Sequence, residues 1–108
     1  MGRRGRFDAL QTLKVPAWCV VLDATGRVLK SLQFDAGADL RLQFVQLAEK
    51  AMAARWVVEE HDPAMGFFFC HREGQRIHVR IQPTAPRNPL SSWPLPAPAS
   101  SVEECFRI

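Results

Sequence analysis

The residues of this 108-residue chain that could do chemistry are concentrated in one stretch, GFFFCHREGQRIHVRI, from Gly66 to Ile81. It places a cysteine beside a histidine, Cys70-His71, which are the residue types of a thiol nucleophile and its general base. Neighbouring residues of a β-strand point to opposite faces, so these two side chains cannot act together if the stretch is a strand. The chain also lacks a G-x-S-x-G motif and glycine-rich phosphate-binding motifs. We therefore expect no enzymatic activity.

Three histidines, His61, His71 and His78, are of the residue type that binds a transition metal. All three share one face of a sheet if the loop after His61 has odd length. His61 then pairs near Phe67, which is about 13 Å from His71 at ~3.3 Å per residue. That separation is too large for one ion, so we expect neither a metal site nor another cofactor.

The stretch itself predicts a β-hairpin, with strands from Phe67 to Arg72 and from Arg76 to Gln82 around a Glu73-Gly74-Gln75 turn. The turn can be centred on Glu73-Gly74 or on Gly74-Gln75. These two registers differ by two residues and leave every side chain on the same face. The predicted core face consists of Phe68, Cys70, Ile77, Val79 and Ile81. The predicted second face consists of Phe67, Phe69, His71, His78, Arg80 and Gln82.

This second face is too apolar to be left in water without a partner. The sequence leaves three possibilities for what covers this face: the proline-rich tail, a second copy of the chain, or a different protein. We predict a non-enzymatic protein-interaction module that most readily forms a homodimer. The predicted interaction surface consists of Phe67, Phe69, His71, His78 and Arg80.

The elements that must position this hairpin follow the order short helix, two strands, long helix, three strands and a proline-rich tail. Residues 17–34 predict a hairpin that turns at Asp23 to Gly26. The long helix has Asp39 or Asp35 as its N-cap, and apolar residues recur along it at helical spacing. The residues assigned to its buried face are Leu40, Phe44, Val45, Leu47, Ala48, Ala51 and Met52.

The predicted fold is therefore of the α+β class: a single five-stranded antiparallel sheet with one long helix packed on one face. Residues 1–6 form a basic N-terminal arm, and residues 7–82 form the single α+β domain. Residues 83–108 form a proline-rich tail that is either a strap laid on the domain or disordered. The stretch Ser100-Ser101-Val102-Glu103-Glu104 in this tail has the spacing of a capping box, with Glu three residues after Ser, which favours a last helical turn carrying Val102 and Phe106.

The segment VVLDATGRVL, from Val20 to Leu29, resembles the opening hairpin of PAS domains and of roadblock-type proteins. The order of elements from Phe7 to Gln82 is also similar to the roadblock arrangement. That resemblance implies five antiparallel strands that carry helices on one face. The chain lacks the several short helices that build the usual PAS ligand pocket, and no functional residue of either family has a counterpart here.

The charge distribution bears on a nucleic-acid alternative. Arg3, Arg4 and Arg6 account for three of the 14 basic residues, which leaves 11 basic residues against 11 acidic ones in the rest of the chain. Phe67, Phe69 and Arg80, together with this arm, could bind single-stranded nucleic acid by stacking and phosphate contacts. The segment MGFFFCHR echoes the RNA-binding signature of RRM domains, but a hairpin before the helix does not fit the RRM element order.

Neither a membrane span nor a disulfide framework is indicated. No apolar run approaches the ~20 residues that cross a bilayer, and the N-terminal charges are not followed by the apolar core of a signal peptide. Cys19, Cys70 and Cys105 are odd in number and contain no C-x-x-C pair. We expect a cytoplasmic protein with buried, reduced cysteines.

Overall fold

Five strands form one antiparallel sheet, in the order β2-β1-β5-β4-β3, in the computed structural model of the chain, which describes residues 6–12, 15–87 and 98–108. The elements are α1 (Arg6–Thr12), β1 (Ala17–Asp23), β2 (Val28–Phe34), α2 (Leu40–Ala53), β3 (Val57–Asp62), β4 (Phe67–Arg72), β5 (Gln75–Gln82) and a C-terminal 3-10 helix (Glu103–Phe106). The predicted α+β class, the antiparallel sheet and the long helix on one face are confirmed. No helix in these described ranges has the length and apolar character needed to cross a bilayer.

Helix α2 covers the inner face of the sheet. Asp39 is its N-cap, because its Oδ1 accepts a hydrogen bond from the backbone N–H of Leu42 at 3.1 Å. The prediction that Val45 and Met52 belong to the buried face is wrong, since they are 51% and 55% exposed. Both lie roughly a third of a turn away from the line that contacts the sheet. The residues of α2 that are buried are Leu40, Phe44, Leu47, Ala48 and Ala51.

The β4–β5 hairpin has the predicted facing. Arg72 pairs with Gln75, so the turn is centred on Glu73-Gly74, and both central residues have positive φ, 50° and 80°. This is the backbone of a two-residue hairpin turn whose twist matches that of the strands. Phe68 is fully buried and its ring meets Phe44 of α2 edge-on, with ring centroids 5.8 Å apart. Because side chains alternate along a strand, this contact places Phe68 and Cys70 on the side of the sheet that faces α2, and Phe67 and Phe69 on the opposite side.

The edge strand β3 contains an irregularity that the sequence did not reveal. Its pairing with β4 shifts between Glu59 and Asp62, and Glu60 has a φ of 46°. A bulge of this kind reverses the alternation of the residues beyond it. His61 therefore lies against Phe44, with ring centroids 5.0 Å apart, on the inner side of the sheet. The expectation that His61 could share a face with the other two histidines is wrong.

The outer face of β1 and β2 carries a second, smaller apolar cluster. Val20 and Val28 are 1% and 2% exposed, Leu22 is also buried, and Trp18 packs beside them. Val20 is the cross-strand neighbour of Arg80, and Leu22 is that of His78, so this cluster adjoins the outer face of β4 and β5. The two clusters lie on opposite sides of the same sheet.

The described C-terminal residues pack on the domain. The backbone N–H of Ala99 donates to the carbonyl of Ser31 on the edge strand β2, at 2.6 Å. The predicted last helical turn is present as the 3-10 helix, in which Cys105 and Phe106 are buried in the inner core. Residues 88–97 of the predicted strap, including Trp93, lie outside the described residues, as do Arg3 and Arg4 of the basic arm.

Candidate functional site

The candidate site is the outer face of the β4–β5 hairpin, where cross-strand pairing brings side chains from several strands into rows. One row runs from Glu59 through Phe69 and His78 to Leu22, across β3, β4, β5 and β1. In the next row, Phe67 pairs with Arg80. Directly opposed residues of antiparallel strands have neighbouring side chains on the same face. All the residues of these two rows therefore belong to strands of the sheet, and none of them belongs to a loop.

Three of the five predicted surface residues form an aromatic cluster. The ring of Phe69 stacks on the imidazole of His78, with centroids 4.4 Å apart and planes at 15°. The ring of Phe67 meets both of them edge-on, at 5.7 Å from Phe69 and 5.6 Å from His78. Stacked and edge-on pairs are the favoured arrangements of aromatic rings and hold one another in place. Phe69 nevertheless remains 37% exposed, so the cluster presents an ordered apolar surface to the outside.

The imidazole of His78 is held in its neutral form. Burial lowers its pKa below the usual value, and the positive charge of Arg80 lowers the pKa further. Its Nε2 atom is buried and has no hydrogen-bond partner among the described residues. A neutral ring suits a stacking role, because protonation would place a charge inside the aromatic cluster and next to Arg80.

This lowered pKa predicts a pH dependence of stability. The unfolded chain binds a proton at His78 near pH 6.5, whereas the folded chain binds it only at lower pH. The contribution of His78 is therefore complete above about pH 6.5 and is lost as the pH falls toward the folded-state pKa. We expect His78→Phe, which keeps the stacking but cannot take a proton, to lose less stability on acidification than the unmodified chain does.

The measurement is the free energy of unfolding by denaturant at about pH 7.5 and about pH 5.5, on either side of the histidine range. His71→Phe is the matched control, since it makes the same replacement on the same face, outside the aromatic cluster. The charged groups that face His78 are Arg80 on its own strand, which lowers its pKa, and Asp23 and Arg76, which line the same cleft. Equal losses for His78→Phe and the unmodified chain would show that His78 is not the titrating group.

The other two predicted surface residues lie at the two ends of the cluster. His71 pairs with Arg76 across the hairpin, and its Nε2 lies 3.1 Å from a carboxylate oxygen of Glu59. Arg80 is exposed, and its Nε donates to Oε1 of Gln82 at 2.8 Å. His71 and Arg80 thus form a polar rim around the rings rather than part of the apolar centre.

A cleft of about 340 Å³ lies beside the cluster, between the β1–β2 turn and the β4–β5 hairpin. Phe69 and His78 form one wall, Leu22 contributes apolar surface, and Asp23 and Arg76 are the charged groups that line it. The sequence analysis did not identify Leu22, Asp23 or Arg76 as site residues. Only the pairing of β1 with β5, which lie far apart in the sequence, brings them here.

The cysteine-histidine pair is separated as the alternation predicts. Cys70 is buried on the inner side, and burial raises the pKa of its thiol to about 12, with a further contribution from the charge of Glu59. A thiol with this pKa is not a nucleophile at neutral pH. Within residues 6–12, 15–87 and 98–108, no three His, Cys, Asp or Glu side chains are grouped closely enough to hold a metal ion.

A second exposed apolar surface, missed at the sequence level, lies on helix α2. Leu42, Val45 and Met52 are each between 50% and 55% exposed. They follow one flank of the helix at spacings of three and seven residues, so they form a stripe rather than scattered positions. We call this stripe the α2 flank. It is the natural comparison for the aromatic cluster in any test of association.

Comparison with known proteins gives no external guide to the function. No protein-family model, no curated protein and no solved structure matches this chain.

Proposed function

We propose that this chain is a non-enzymatic interaction module that forms a homodimer through the outer face of its β4–β5 hairpin. The observation that carries the proposal is the aromatic cluster of Phe67, Phe69 and His78, whose central ring is 37% exposed although it is fixed by stacking. Aromatic side chains that are already ordered lose little entropy on association, and they dominate the energetics of many interfaces.

A second copy of the chain is the partner that the charges favour. The face carries an acidic residue, Glu59, at the β3 edge and basic residues, Arg76 and Arg80, on β5. A two-fold interface brings each patch of a surface against its counterpart, so a face with both signs can complement itself. Beyond the N-terminal arm, the chain has 11 basic and 11 acidic residues, so two bodies do not repel one another strongly.

The test is the mass in solution of the full chain, measured by light scattering across a range of concentrations. We expect a dimer, and we expect Phe69→Glu to convert it to a monomer, because the substitution buries a carboxylate against apolar rings of the second copy. The matched control is Val45→Glu, the same change to glutamate at an exposed apolar residue of the α2 flank. This control should leave the mass unchanged.

Two other results would contradict the proposal. A dimer that is lost in Val45→Glu but kept in Phe69→Glu would move the interface to the α2 flank and refute the proposal. A monomer in every variant would refute homodimerisation. Circular dichroism of each variant separates a lost interface from a lost fold.

The second candidate is single-stranded nucleic acid, which one observation favours: the exposed Phe69 ring shares its face with Arg76 and Arg80. Rings that stack on bases beside guanidinium groups are the usual means of such binding. In the same samples, a monomer that binds a single-stranded oligonucleotide at low salt, with an affinity that falls steeply as salt rises, would replace the dimer proposal with this one.

A further inference from the structure

The cleft between the β1–β2 turn and the β4–β5 hairpin has the size and the lining of a site for a small ligand. Its volume of about 340 Å³ lies near the lower end of the range for ligand pockets, which is about 300–1,000 Å³. Leu22 and Phe69 contribute apolar surface to it. The ring of Phe69 is already fixed by its stacking on His78, so a further ring can pack against it at little entropic cost.

Asp23 supplies a fixed negative charge from the side of the β1–β2 turn. Its Oδ1 accepts hydrogen bonds from the backbone N–H groups of Thr25, at 2.9 Å, and Arg27, at 3.0 Å, and from the Thr25 hydroxyl at 2.6 Å. Burial opposes ionisation, but these hydrogen bonds outweigh it and lower the pKa of Asp23. All three bonds go to Oδ1, so the carboxylate is held in place and has a second oxygen with which to accept from a ligand.

Arg76 supplies a positive charge from the side of the hairpin. Its side chain is largely exposed, and its Nη2 lies 4.0 Å from a carboxylate oxygen of Glu59, which is the outer limit of an ion pair. The carboxylate of Glu59 lies closer to His71, at 3.1 Å. A guanidinium group binds a carboxylate most strongly through two short parallel hydrogen bonds, and Glu59 does not supply them at this distance. Arg76 is therefore suited to bind the carboxylate of a ligand.

The register of the sheet brings these two charges to the same end of the cleft. Asp23 is the cross-strand neighbour of Ile77, which directly follows Arg76 in the sequence. Among the residues that the structure describes, no ion pair joins Asp23 to Arg76. The cleft thus presents a carboxylate, a guanidinium group and an aromatic ring to one small molecule. A ligand with only one charge would leave either Asp23 or Arg76 without a partner.

We propose that this cleft binds a free aromatic α-amino acid, of which phenylalanine is the simplest example. The ligand's carboxylate accepts hydrogen bonds from Arg76, its ammonium group donates to Asp23, and its ring packs against Phe69. This inference goes beyond the proposed homodimer and does not rest on it, because Asp23 and Arg76 lie outside the aromatic cluster.

The experiment titrates the isotope-labelled full chain with phenylalanine and follows the backbone amide NMR signals, at a protein concentration at which light scattering gives the mass of a monomer. We expect saturable shifts at residues that line the cleft, among them Leu22, Ala24 and His78. Phenylpropionate lacks the ammonium group and phenethylamine lacks the carboxylate. Each should bind about tenfold more weakly than phenylalanine, because one charge-assisted hydrogen bond is lost. The scattering data report on the dimer separately, so failure of one proposal is distinguishable from failure of the other.

Two variants assign the charges. Arg76→Gln should weaken the binding of phenylalanine and phenylpropionate by about tenfold and leave that of phenethylamine unchanged. Asp23→Asn should weaken phenylalanine and phenethylamine and spare phenylpropionate, and asparagine keeps the Oδ1 that accepts the hydrogen bonds of the turn. The matched control is Arg107→Gln, since Arg107 also lies near a glutamate, Glu103 at 3.5 Å, but far from the cleft. This control should bind all three compounds like the unmodified chain.

The proposal is overturned if phenylalanine causes no saturable shifts, or if the shifts fall on the α2 flank instead of the cleft. Equal affinity for the three compounds would also overturn it, because the two charges would then have no role in recognition. Should Arg76→Gln or Asp23→Asn not fold, the comparison of the three compounds on the unmodified chain still decides the question.

Discussion

Phe68→Ala is expected to lower the free energy of unfolding by about 3–5 kcal/mol, the range for truncation of a buried phenylalanine. The ring of Phe68 is fully buried, lies 5.8 Å from the ring of Phe44 and stacks at 6.4 Å on the ring of Phe106. Removing it leaves a cavity between α2, the sheet and the C-terminal 3-10 helix. The measurement is chemical denaturation of the variant beside the unmodified chain, followed by circular dichroism.

The matched control is Phe69→Ala, the same truncation one residue further along the strand. Phe69 is 37% exposed and lies on the other face, so its removal from the isolated domain should cost only about 1 kcal/mol. A larger loss for Phe69→Ala than for Phe68→Ala would mean that the strand faces the opposite way. Both variants are compared at a protein concentration at which the chain is monomeric.

Gly66→Ala is expected to destabilise the fold by about 2–4 kcal/mol, because it combines backbone strain with overpacking. Gly66 has a φ of 75°, and a Cβ there would lie 3.0 Å from Cγ and Cδ2 of Phe7. Phe7 is 1% exposed and is itself packed against Phe44, at 5.5 Å, so it cannot move aside without disturbing the core. Thermal and denaturant unfolding both report the change.

Gly74→Ala separates the two causes, because it shares the strain and lacks the contact. Its φ is 80°, and a Cβ there would meet no atom within 4 Å. We expect a loss of about 1 kcal/mol for this variant, the usual cost of alanine in a left-handed conformation. If the two variants lose equal stability, the contact between Gly66 and the helix α1 has no energetic role.

The facing of the β4–β5 hairpin could be predicted because it depends only on the alternation of side chains along a strand. The residue type does not distinguish Phe67, Phe68 and Phe69. Both turn registers that the sequence allows nevertheless place Phe68 on the buried face. The apolar partners Ile77, Val79 and Ile81 mark the same face from the other strand, and all three are buried. Local periodicity therefore sufficed for this part of the candidate site.

Other features could not be predicted because they depend on contacts distant in the sequence. The bulge at Glu60 is a backbone irregularity that no residue type in VVEEHD signals, and it alone moves His61 to the inner side. Helical spacing assigned Val45 and Met52 to the core. The buried face of α2 is narrower than the set of its apolar residues, however, and these two lie outside it. The cleft beside His78 needs the pairing of β1 with β5, which only the assembled sheet provides.

The separation of the two faces of the sheet underlies the proposed interface. The inner side holds the core, including the fully buried Phe68. The outer side holds the aromatic cluster, of which Phe69 is the accessible centre. Stability and association are thus expected to be separable by substitution.

The most direct test of the proposed interface is an isotope-filtered NMR experiment on a mixture of labelled and unlabelled copies, which detects contacts between different molecules alone. We predict intermolecular contacts at the ring protons of Phe67 and Phe69. Intermolecular contacts at Leu42, Val45 and Met52 with none at the two rings would contradict the account, and so would a sample that gives no intermolecular contacts at all.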